Sequence, residues 1–365
     1  MWRLLDLGAV DGYTMTNLYE AIGLAVSNGD SPNTVILNHP ESPFVNIGYH
    51  QLMDKEINVE EARKRGYSLV RRTIGGGAIL DGPWEQDYFV VVRRSDPSCP
   101  TTIPEFYSRF LKPPLYALRQ LGLEPSIRQP NDILVGGRKI SGNGAITIDG
   151  VNVLAGDILL EAPAALMSEI IKVPSEKFRD KLAKSMSEWI TSLSSLLGEV
   201  KRGDVKRLIV DGFINELGLE LEPRLLTEAE KSKLDELVSE RMTEKWVFSK
   251  DNDILMKVGG DRLGTKVRGG VNVTESVYKA GKMIRVVLVS EEGCIRDLSL
   301  SGDFFTIPYT GALEQLEKTL VGSRLEREPL TARVKEGFST AGLTVMGASI
   351  NDFVEAILRA APETE

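Results

Sequence analysis

Apolar side chains recur along the first 160 residues at both helical and strand-like spacings. Helical spacing predicts a helix over 14–27, and a charged helical segment over 57–65 ends at Gly66. A further helix begins near Pro104 and is expected to break at Pro113-Pro114. Short β-type runs predict strands at 34–37, 44–47, 68–72, 88–92, 133–135, 139–148 and 151–160.

The pattern changes after Glu161. Residues 163–245 are mostly helical in pattern, and Thr227 and Glu230 have the spacing of a capping box. The rest of the chain alternates between the two spacings, with strands predicted at 268–278, 282–290 and 295–301, and helices at 311–321, 328–337 and 350–360. We therefore predict a larger domain over 1–245, in which 163–245 is a mostly helical connection, and a small α+β domain over 250–365.

Composition narrows the class of protein. The 365 residues carry a net charge of −8, which argues against a general nucleic-acid binder. Only two cysteines occur, Cys99 and Cys294, without the spacing of a zinc site or a disulfide framework. No signal peptide or membrane span is apparent, so we expect a soluble cytoplasmic protein without a membrane partner.

The first candidate site lies at Arg71-Arg72-Thr73-Ile74-Gly75-Gly76-Gly77-Ala78. Three successive glycines between strands are either a plain hairpin loop or a place where the backbone approaches a ligand closely. The adjacent arginines favour the second interpretation, because an arginine beside exposed backbone N–H groups suits a phosphate. One arginine is expected to point at the loop, while the other faces solvent or stacks elsewhere.

The second candidate is Lys139, which follows the glycine pair Gly136-Gly137 and precedes Ser141 and Gly142. A lysine in such a turn is most often merely solvated. Here it begins an apolar strand whose small residues would let a ligand lie against the backbone. In that position it would neutralise a carboxylate and an α-phosphate as they join.

Asn131-Asp132, just before this strand, has two interpretations of equal weight. The pair is a common turn former and strand start. It could also bind a nucleotide, with Asp132 as a Mg²⁺ ligand. The histidines, His39 and His50, complete no Ser-His-Asp set, and Cys99 has no base near it in sequence.

These motifs, in this order, resemble those of lipoate–protein ligases, which form one superfamily with biotin ligases and octanoyltransferases. Further likeness covers most of the chain: 46–51, 171–174 with Lys177, 266–270 and 301–305. The resemblance implies an α+β fold with a mixed, largely antiparallel sheet flanked by helices, like class II aminoacyl-tRNA synthetases and biotin synthetase. It also implies that the small α+β C-terminal domain is the family's accessory domain.

The resemblance implies a two-step reaction. Lipoate and Mg-ATP would give lipoyl-AMP, and a lysine of a lipoyl carrier domain would then attack it to form an amide. That carrier would be a glycine-cleavage carrier, a 2-oxoacid dehydrogenase subunit or another lipoate-binding protein. Lys139 would be catalytic, and the ATP and lipoyl-AMP contacts would come from Arg72, Gly75, Gly76, Gly77, Ala78, Ile79, Leu80, Asn131, Asp132, Lys139, Ser141 and Gly142.

Two positions depart from the family pattern. Asp81 follows the glycines where a His-Asp pair is usual. Ala155, Gly156 and Asp157 stand where the family usually has His-Gly. Asp81 and Asp157 are candidates for placing the substrate. The missing histidines point to a different acyl substrate, a specialised carrier partner or a divergent branch of the family.

Three rival functions remain at this stage. An ATP-independent octanoyl or lipoyl transferase would use a cysteine thioester, but no cysteine lies at 126–131 or in the strand after Lys139. A biotin ligase would have a Gly-Arg-Gly-Arg type of phosphate loop. A divergent, non-catalytic lipoyl-binding relative would explain the missing histidines. The sequence leaves open the carrier, the preference for lipoate or octanoate, and the oligomeric state.

Overall fold

The computed structural model describes residues 1–128, 131–172, 187–258, 266–267, 271–279 and 281–362. Among the residues that carried the family likeness, 173, 174, 177 and 268–270 lie outside this part. The described chain divides into two compact units. The first comprises 1–46, 57–72 and 79–243, and the second comprises 47–56, 73–78 and 244–365.

Each predicted run overlaps a strand, the run 139–148 is divided into two strands at Gly142, and further short strands occur that were not predicted. The bounds are β1 (Trp2–Val10), β2 (Thr34–Pro40), β3 (Phe44–Ile47), β4 (Ser68–Arg71), β5 (Ile79–Asp81), β6 (Glu85–Arg93), β7 (Pro125–Arg128), β8 (Asp132–Val135), β9 (Arg138–Ser141), β10 (Asn143–Ile148), β11 (Val151–Leu159), β12 (Leu221–Pro223), β13 (Lys266–Val267), β14 (Val271–Lys279), β15 (Met283–Glu291), β16 (Cys294–Gly302), β17 (Phe305–Ile307) and β18 (Thr344–Met346).

The helices have the bounds α1 (Gly12–Asn28), α2 (Met53–Glu56), α3 (Val59–Lys64), α4 (Ile103–Phe110), α5 (Lys112–Gln120), α6 (Ala164–Ile170), α7 (Leu193–Leu197), α8 (Arg202–Leu217), α9 (Glu228–Arg241), α10 (Glu244–Val247), α11 (Ser249–Val258), α12 (Ala312–Leu320), α13 (Arg327–Thr340) and α14 (Ile350–Ala360). No helix among the described residues is both long and apolar enough to cross a membrane.

A six-stranded sheet, in the order β10-β11-β6-β2-β1-β12, forms the centre of the first unit. Its pairs are antiparallel from β10 to β2, whereas β1 runs parallel to both β2 and β12. The mixed, largely antiparallel sheet is therefore confirmed. The sequence analysis missed β1, because its run Trp-Arg-Leu-Leu-Asp-Leu alternates poorly and its pairing partners lie 30 and more than 200 residues away.

One face of this sheet packs against α4, α5 and α8 to form the main core, which includes Val90, Phe106 and Phe213. Pro113 and Pro114 do interrupt the helix, as predicted. They do so by beginning α5, where a proline needs no N–H partner. Gly212 of α8 lets that helix approach closely, because a Cβ there would lie 2.6 Å from the carbonyl oxygen of Pro113.

Helix α9 is anchored to the first unit by buried ion pairs. Thr227 and Glu230 form the predicted capping box. Glu230 also accepts two hydrogen bonds from the guanidinium of Arg3, at 2.6 and 2.9 Å. At the other end of the helix, Arg241 donates to both carboxylate oxygens of Glu20 on α1, at 2.6 and 2.8 Å. Part of the predicted helical connection thus belongs to the body of the first unit.

The second unit has its own core. An antiparallel sheet, β13-β14-β15-β16, packs against α12, α13 and α14 through apolar residues that include Val286, Leu316 and Phe353. The unit also contains a short antiparallel pair, β17-β18. In sequence, β17 follows β16, and β18 lies between α13 and α14. A small α+β arrangement after residue 250 was predicted from the return of strand spacing. The assignment of that region as an accessory domain stays a prediction.

Candidate functional site

Lys139 lies on a tight hairpin between β8 and β9. The turn residues Gly136 and Gly137 have φ values of 57° and 77°, a region that side chains disfavour. Lys139 pairs with Leu134 across the hairpin, next to a register shift. Its carbonyl oxygen accepts a hydrogen bond from the backbone N–H of Thr191 at 2.8 Å. The backbone that carries the lysine is therefore fixed on both sides.

The Lys139 ammonium is held by Asp132. Lys139 Nζ lies 2.9 Å from Asp132 Oδ1, and Arg128 donates to Asp132 Oδ2 at 2.6 Å. Burial opposes ionisation of Asp132, but the two cations outweigh it and lower the pKa of this carboxyl. The lysine side chain is one-third exposed, at 33%. A charged amine is thus oriented by a neighbour while it stays accessible to a ligand.

Gly142 is required by the lysine itself. A Cβ at this position would lie 2.8 Å from Lys139 Nζ and 3.0 Å from its Cε. The lysine side chain therefore lies across the backbone of Gly142, where only glycine leaves room. The N–H of Gly142 donates to Asp157 Oδ1, which brings a second carboxyl to the same place. Burial raises the pKa of Asp157 to about 6, although Lys139 counteracts this.

Asn131 and Ser141 take part in hydrogen bonds that stabilise the hairpin. Asn143 donates from Nδ2 to the carbonyl oxygen of Asn131 at 2.9 Å and to Ser141 Oγ at 3.1 Å. Tyr88, which is fully buried, donates its hydroxyl to Asn143 Oδ1. The sequence analysis expected Asn131 and Ser141 to bind the nucleotide. That role stays a prediction. In the structure, both residues accept hydrogen bonds from Asn143 that hold the hairpin.

Arg72 is positioned through a short chain of hydrogen bonds. Its Nη1 donates to the carbonyl oxygen of Asn46 at 3.1 Å and to Asn46 Oδ1 at 3.2 Å. Asn46 in turn donates from Nδ2 to Asp81 Oδ2 at 2.7 Å. Asp81 therefore fixes the amide that orients the arginine. Arg71 is only 1% exposed, so the option that it faces solvent was wrong.

A row of buried polar groups crosses the sheet beside this chain. Asn38, Asp87 and Asp157 stand directly opposite one another on β2, β6 and β11, so their side chains share one face. Within the described part of the chain, neither amide atom of Asn38 has a hydrogen-bond partner, and Asp87 Oδ2 has none either. Burial raises the pKa of Asp81 to about 7, and burial likewise raises the pKa values of Glu85 and Asp87.

The sequence analysis missed most of this row. Glu85-Gln86-Asp87 begins the otherwise apolar strand β6, and three successive polar residues ahead of a buried run were a usable signal. Asn38 and Asn143 gave none, because a single asparagine at a strand end is ordinary. Asn46 begins the segment 46–51 that carried the family likeness, but no role was predicted for its side chain. Arg128 lies three residues before Asn131, the start of the motif segment, and was likewise overlooked.

The glycine run lies in the second unit, where backbone packing accounts for it. A Cβ on Gly75 would lie 2.5 Å from the carbonyl oxygen of Phe304, and the N–H of Gly76 donates to that oxygen at 3.3 Å. Gly76 also has a φ of 96°. A Cβ on Gly48 would lie 2.0 Å from the carbonyl oxygen of Gly76. Gly77 and Ala78 belong to this unit, whereas Ile79 and Leu80 return to the first.

The remaining candidates have ordinary surroundings. Cys99 is buried, accepts a hydrogen bond from Asn152 at 3.5 Å, and has its pKa raised by burial. His50, in the second unit, stacks against Phe304 and contacts Thr306 Oγ1 through Nε2 at 2.8 Å. The described part of the chain contains no group of three His, Cys, Asp or Glu residues that could hold a metal ion.

Comparison with known proteins identifies the family. The model of the family described as "Lipoyl protein ligase A/B catalytic domain" matches residues 11–214, more than half of the chain. The chain belongs to this family. The resemblance to lipoate–protein ligases, which the paired motifs indicated, is therefore confirmed.

The relatives include both transferases and ligases. The octanoyltransferase LipM of Kyrpidia tusciae is 30% identical over 272 residues, which are 68% of this chain and 99% of that protein. A bi-partite lipoate protein ligase from Thermoplasma acidophilum, whose structure was solved as part of a lipoylation system with its E2 lipoyl domain, is 28% identical. It has a TM-score of 0.62 and covers 67% of this chain and 95% of its own.

A third structure extends the likeness in fold. LipL1 of P. falciparum, in complex with lipoate, has a TM-score of 0.72 at 14% identity, and the alignment covers 98% of this chain and all of that one. The predicted fold class, the synthetase-like arrangement of lipoate ligases, is thereby confirmed.

Proposed function

We propose that this protein attaches lipoate to a lysine of a carrier protein in an ATP-dependent reaction through lipoyl-AMP. The observation that carries the proposal is the Lys139 ammonium, which lies 2.9 Å from Asp132 and across Gly142. A fixed and accessible positive charge that lies over a glycine backbone suits a carboxylate and an α-phosphate that must approach each other. ATP and Mg²⁺ would enter together as substrate, since Asp132 is already paired with two cations.

The cysteines favour adenylation over thioester chemistry. A transferase of this kind needs a nucleophilic thiolate, which forms readily only where the thiol pKa is lowered. The chain has two cysteines. Burial raises the pKa of Cys99, and Cys294 begins β16 in the second unit. Neither belongs to the group formed by Lys139, Asp132 and Asp157.

An ATP-independent octanoyl or lipoyl transferase is the second candidate. It is favoured by the 30% identity to an octanoyltransferase that is matched over nearly its whole length. A non-catalytic lipoyl-binding protein is the third, and the absent family histidines are its support. In either enzymatic case the expected partner is a lipoyl carrier domain, the kind of partner named with the Thermoplasma ligase.

One reaction separates these candidates. The protein is incubated with lipoate, Mg-ATP and a lipoyl carrier domain, and pyrophosphate and the carrier's intact mass are measured. A parallel reaction contains octanoyl-loaded carrier as donor and no ATP. The double variant Cys99→Ser/Cys294→Ser serves as the control for thiol chemistry.

We expect pyrophosphate release from lipoate and Mg-ATP even without carrier, and a carrier heavier by one lipoyl group when it is present. The cysteine-free protein should keep full activity. Transfer from octanoyl carrier without ATP, lost in the cysteine-free protein, would establish the transferase instead. Binding of lipoate without either product would leave the non-catalytic candidate.

A further inference from the structure

We propose that Asp157 is the base that takes the proton from the carrier lysine as its amine attacks the acyl-adenylate. The inference rests on the proposed function and concerns its second half-reaction. A lysine ε-amine is protonated at neutral pH, so it must lose a proton before or during attack. The site therefore needs an acceptor that the incoming amine can reach, close to the lysine that binds the acyl-phosphate.

Asp157 occupies such a position. Its Oδ1 accepts a hydrogen bond from the N–H of Gly142, the residue over which the Lys139 side chain lies. A Cβ built on Gly142 would be 2.8 Å from Lys139 Nζ and 3.5 Å from Asp157 Oδ1. The ammonium and the carboxyl thus flank one backbone position. The hydrogen bond fixes one oxygen of the Asp157 carboxyl.

The other carboxyls nearby are less suitable. Asp132 is held ionised by Lys139 and Arg128, which makes it a weak base. Asp81 and Asp87 are only 4% and 3% exposed, so an incoming lysine cannot reach them. Asp157 is half-buried at the end of the same polar row.

The charges around Asp157 suit the role. Lys139 and Asp132 face it from the hairpin, Asp81 from β5, and Glu85, Asp87 and Tyr88 from β6. Burial raises the pKa of Asp157 to about 6, so the group is mostly ionised at neutral pH and still basic.

The step balances without any further reactant. The carrier amine nitrogen forms a bond to the acyl carbon of lipoyl-AMP, and the bond from that carbon to the phosphate oxygen breaks. The electron pair of the broken bond leaves with AMP. The ammonium proton of the carrier lysine passes to Asp157 Oδ2, and the second proton, which the nitrogen loses as the amide forms, passes to solvent water.

The test supplies synthetic lipoyl-AMP, which bypasses ATP. Wild type, Asp157→Asn and Asp157→Glu are each given lipoyl-AMP with either a lipoyl carrier domain or hydroxylamine. Asparagine keeps an acceptor for the Gly142 N–H but is no base. Hydroxylamine is largely uncharged at neutral pH and needs no proton removed before it attacks, so it reports whether the bound adenylate is correctly placed.

We expect Asp157→Asn to slow transfer to the carrier about 10²-fold while hydroxylamine capture stays at the wild-type rate. The pH profile of carrier transfer should lose its lower inflection in Asp157→Asn, and Asp157→Glu should recover part of the rate. An equal loss with both nucleophiles would mean that Asp157 only positions Lys139, and an unchanged carrier rate would mean no role. Both outcomes overturn the proposal.

Failure of the proposed function gives a different result. A wild-type protein that releases no pyrophosphate from lipoate and ATP, and transfers nothing from lipoyl-AMP, refutes the ligase assignment and the Asp157 role together. If the wild type adenylates lipoate and Asp157→Asn transfers to the carrier at the normal rate, only the role of Asp157 as the base is refuted.

Discussion

The two glycine-bearing motifs of this chain have glycines for opposite reasons. In the Lys139 hairpin, Gly142 leaves space for a charged side chain of the same hairpin. In the run Gly75–Gly77, the space that Gly75 leaves is already filled by the carbonyl oxygen of Phe304.

 That oxygen belongs to the short loop between β16 and β17, so the run is packed against the backbone of its own unit. A glycine motif by itself does not distinguish a ligand site from a close backbone contact. The neighbouring side chains make that distinction.

The largest expected effect is at Lys139. Lys139→Met keeps the length of the side chain but removes its charge, so we expect adenylation to fall by about 10²–10³-fold or more. The fold should persist, because the lysine is one-third exposed and Asp132 keeps its bond to Arg128. Pyrophosphate release and circular dichroism measure the two effects.

Arg138→Met is the matched control, a neighbour on the same strand. It should adenylate lipoate as wild type does. Equal loss in both variants would mean that the hairpin as a whole, and not the Lys139 charge, is needed.

A pair of glycine substitutions tests the comparison directly. In Gly142→Ala the new Cβ meets the mobile end of Lys139, so the side chain is displaced at little cost in stability. We expect about a 10–100-fold loss of adenylation with a nearly unchanged melting temperature. In Gly75→Ala the Cβ meets backbone, and we expect a loss of about 1–3 kcal/mol in the free energy of unfolding.

Chemical denaturation and pyrophosphate release are measured on both variants. The reverse result, a stable Gly75→Ala protein without activity and an unstable but active Gly142→Ala protein, would show that the two motifs had been assigned the wrong way round.

The smallest effect concerns the pH dependence of stability. Burial raises the pKa of Asp81 to about 7, whereas the same carboxyl in an unfolded chain titrates near about 4. Between these values the folded state binds more protons, so the contribution of Asp81 to the free energy of unfolding falls as pH rises. Asp81→Asn should therefore flatten the stability profile between roughly pH 4 and pH 7.

Urea unfolding across that range measures the slope, with Asp204→Asn, a change at an exposed carboxyl, as the control. A slope in Asp81→Asn as steep as in wild type would mean that other members of the polar row carry the effect.

Local pattern determined much of this protein from its sequence. The helical and strand periodicities located most elements, because burial of one face imposes its period on the residues. Charge and glycine placement identified Lys139 and the run Gly75–Gly77, and the order of the motifs indicated the family. The capping box at Thr227 followed from spacing alone, since its partners are three residues apart.

Only the tertiary structure decided what each motif does. Lys139 contacts Asp132 and Gly142 within one hairpin, but Asp157 reaches that group through strand pairing, and Asn46 joins Arg72 to Asp81 across a second sheet. The glycine at position 75 is needed because of the carbonyl oxygen of Phe304, which lies more than 200 residues further along the chain. Such contacts depend on register and packing between distant segments, for which no local spacing of residues gives a signal.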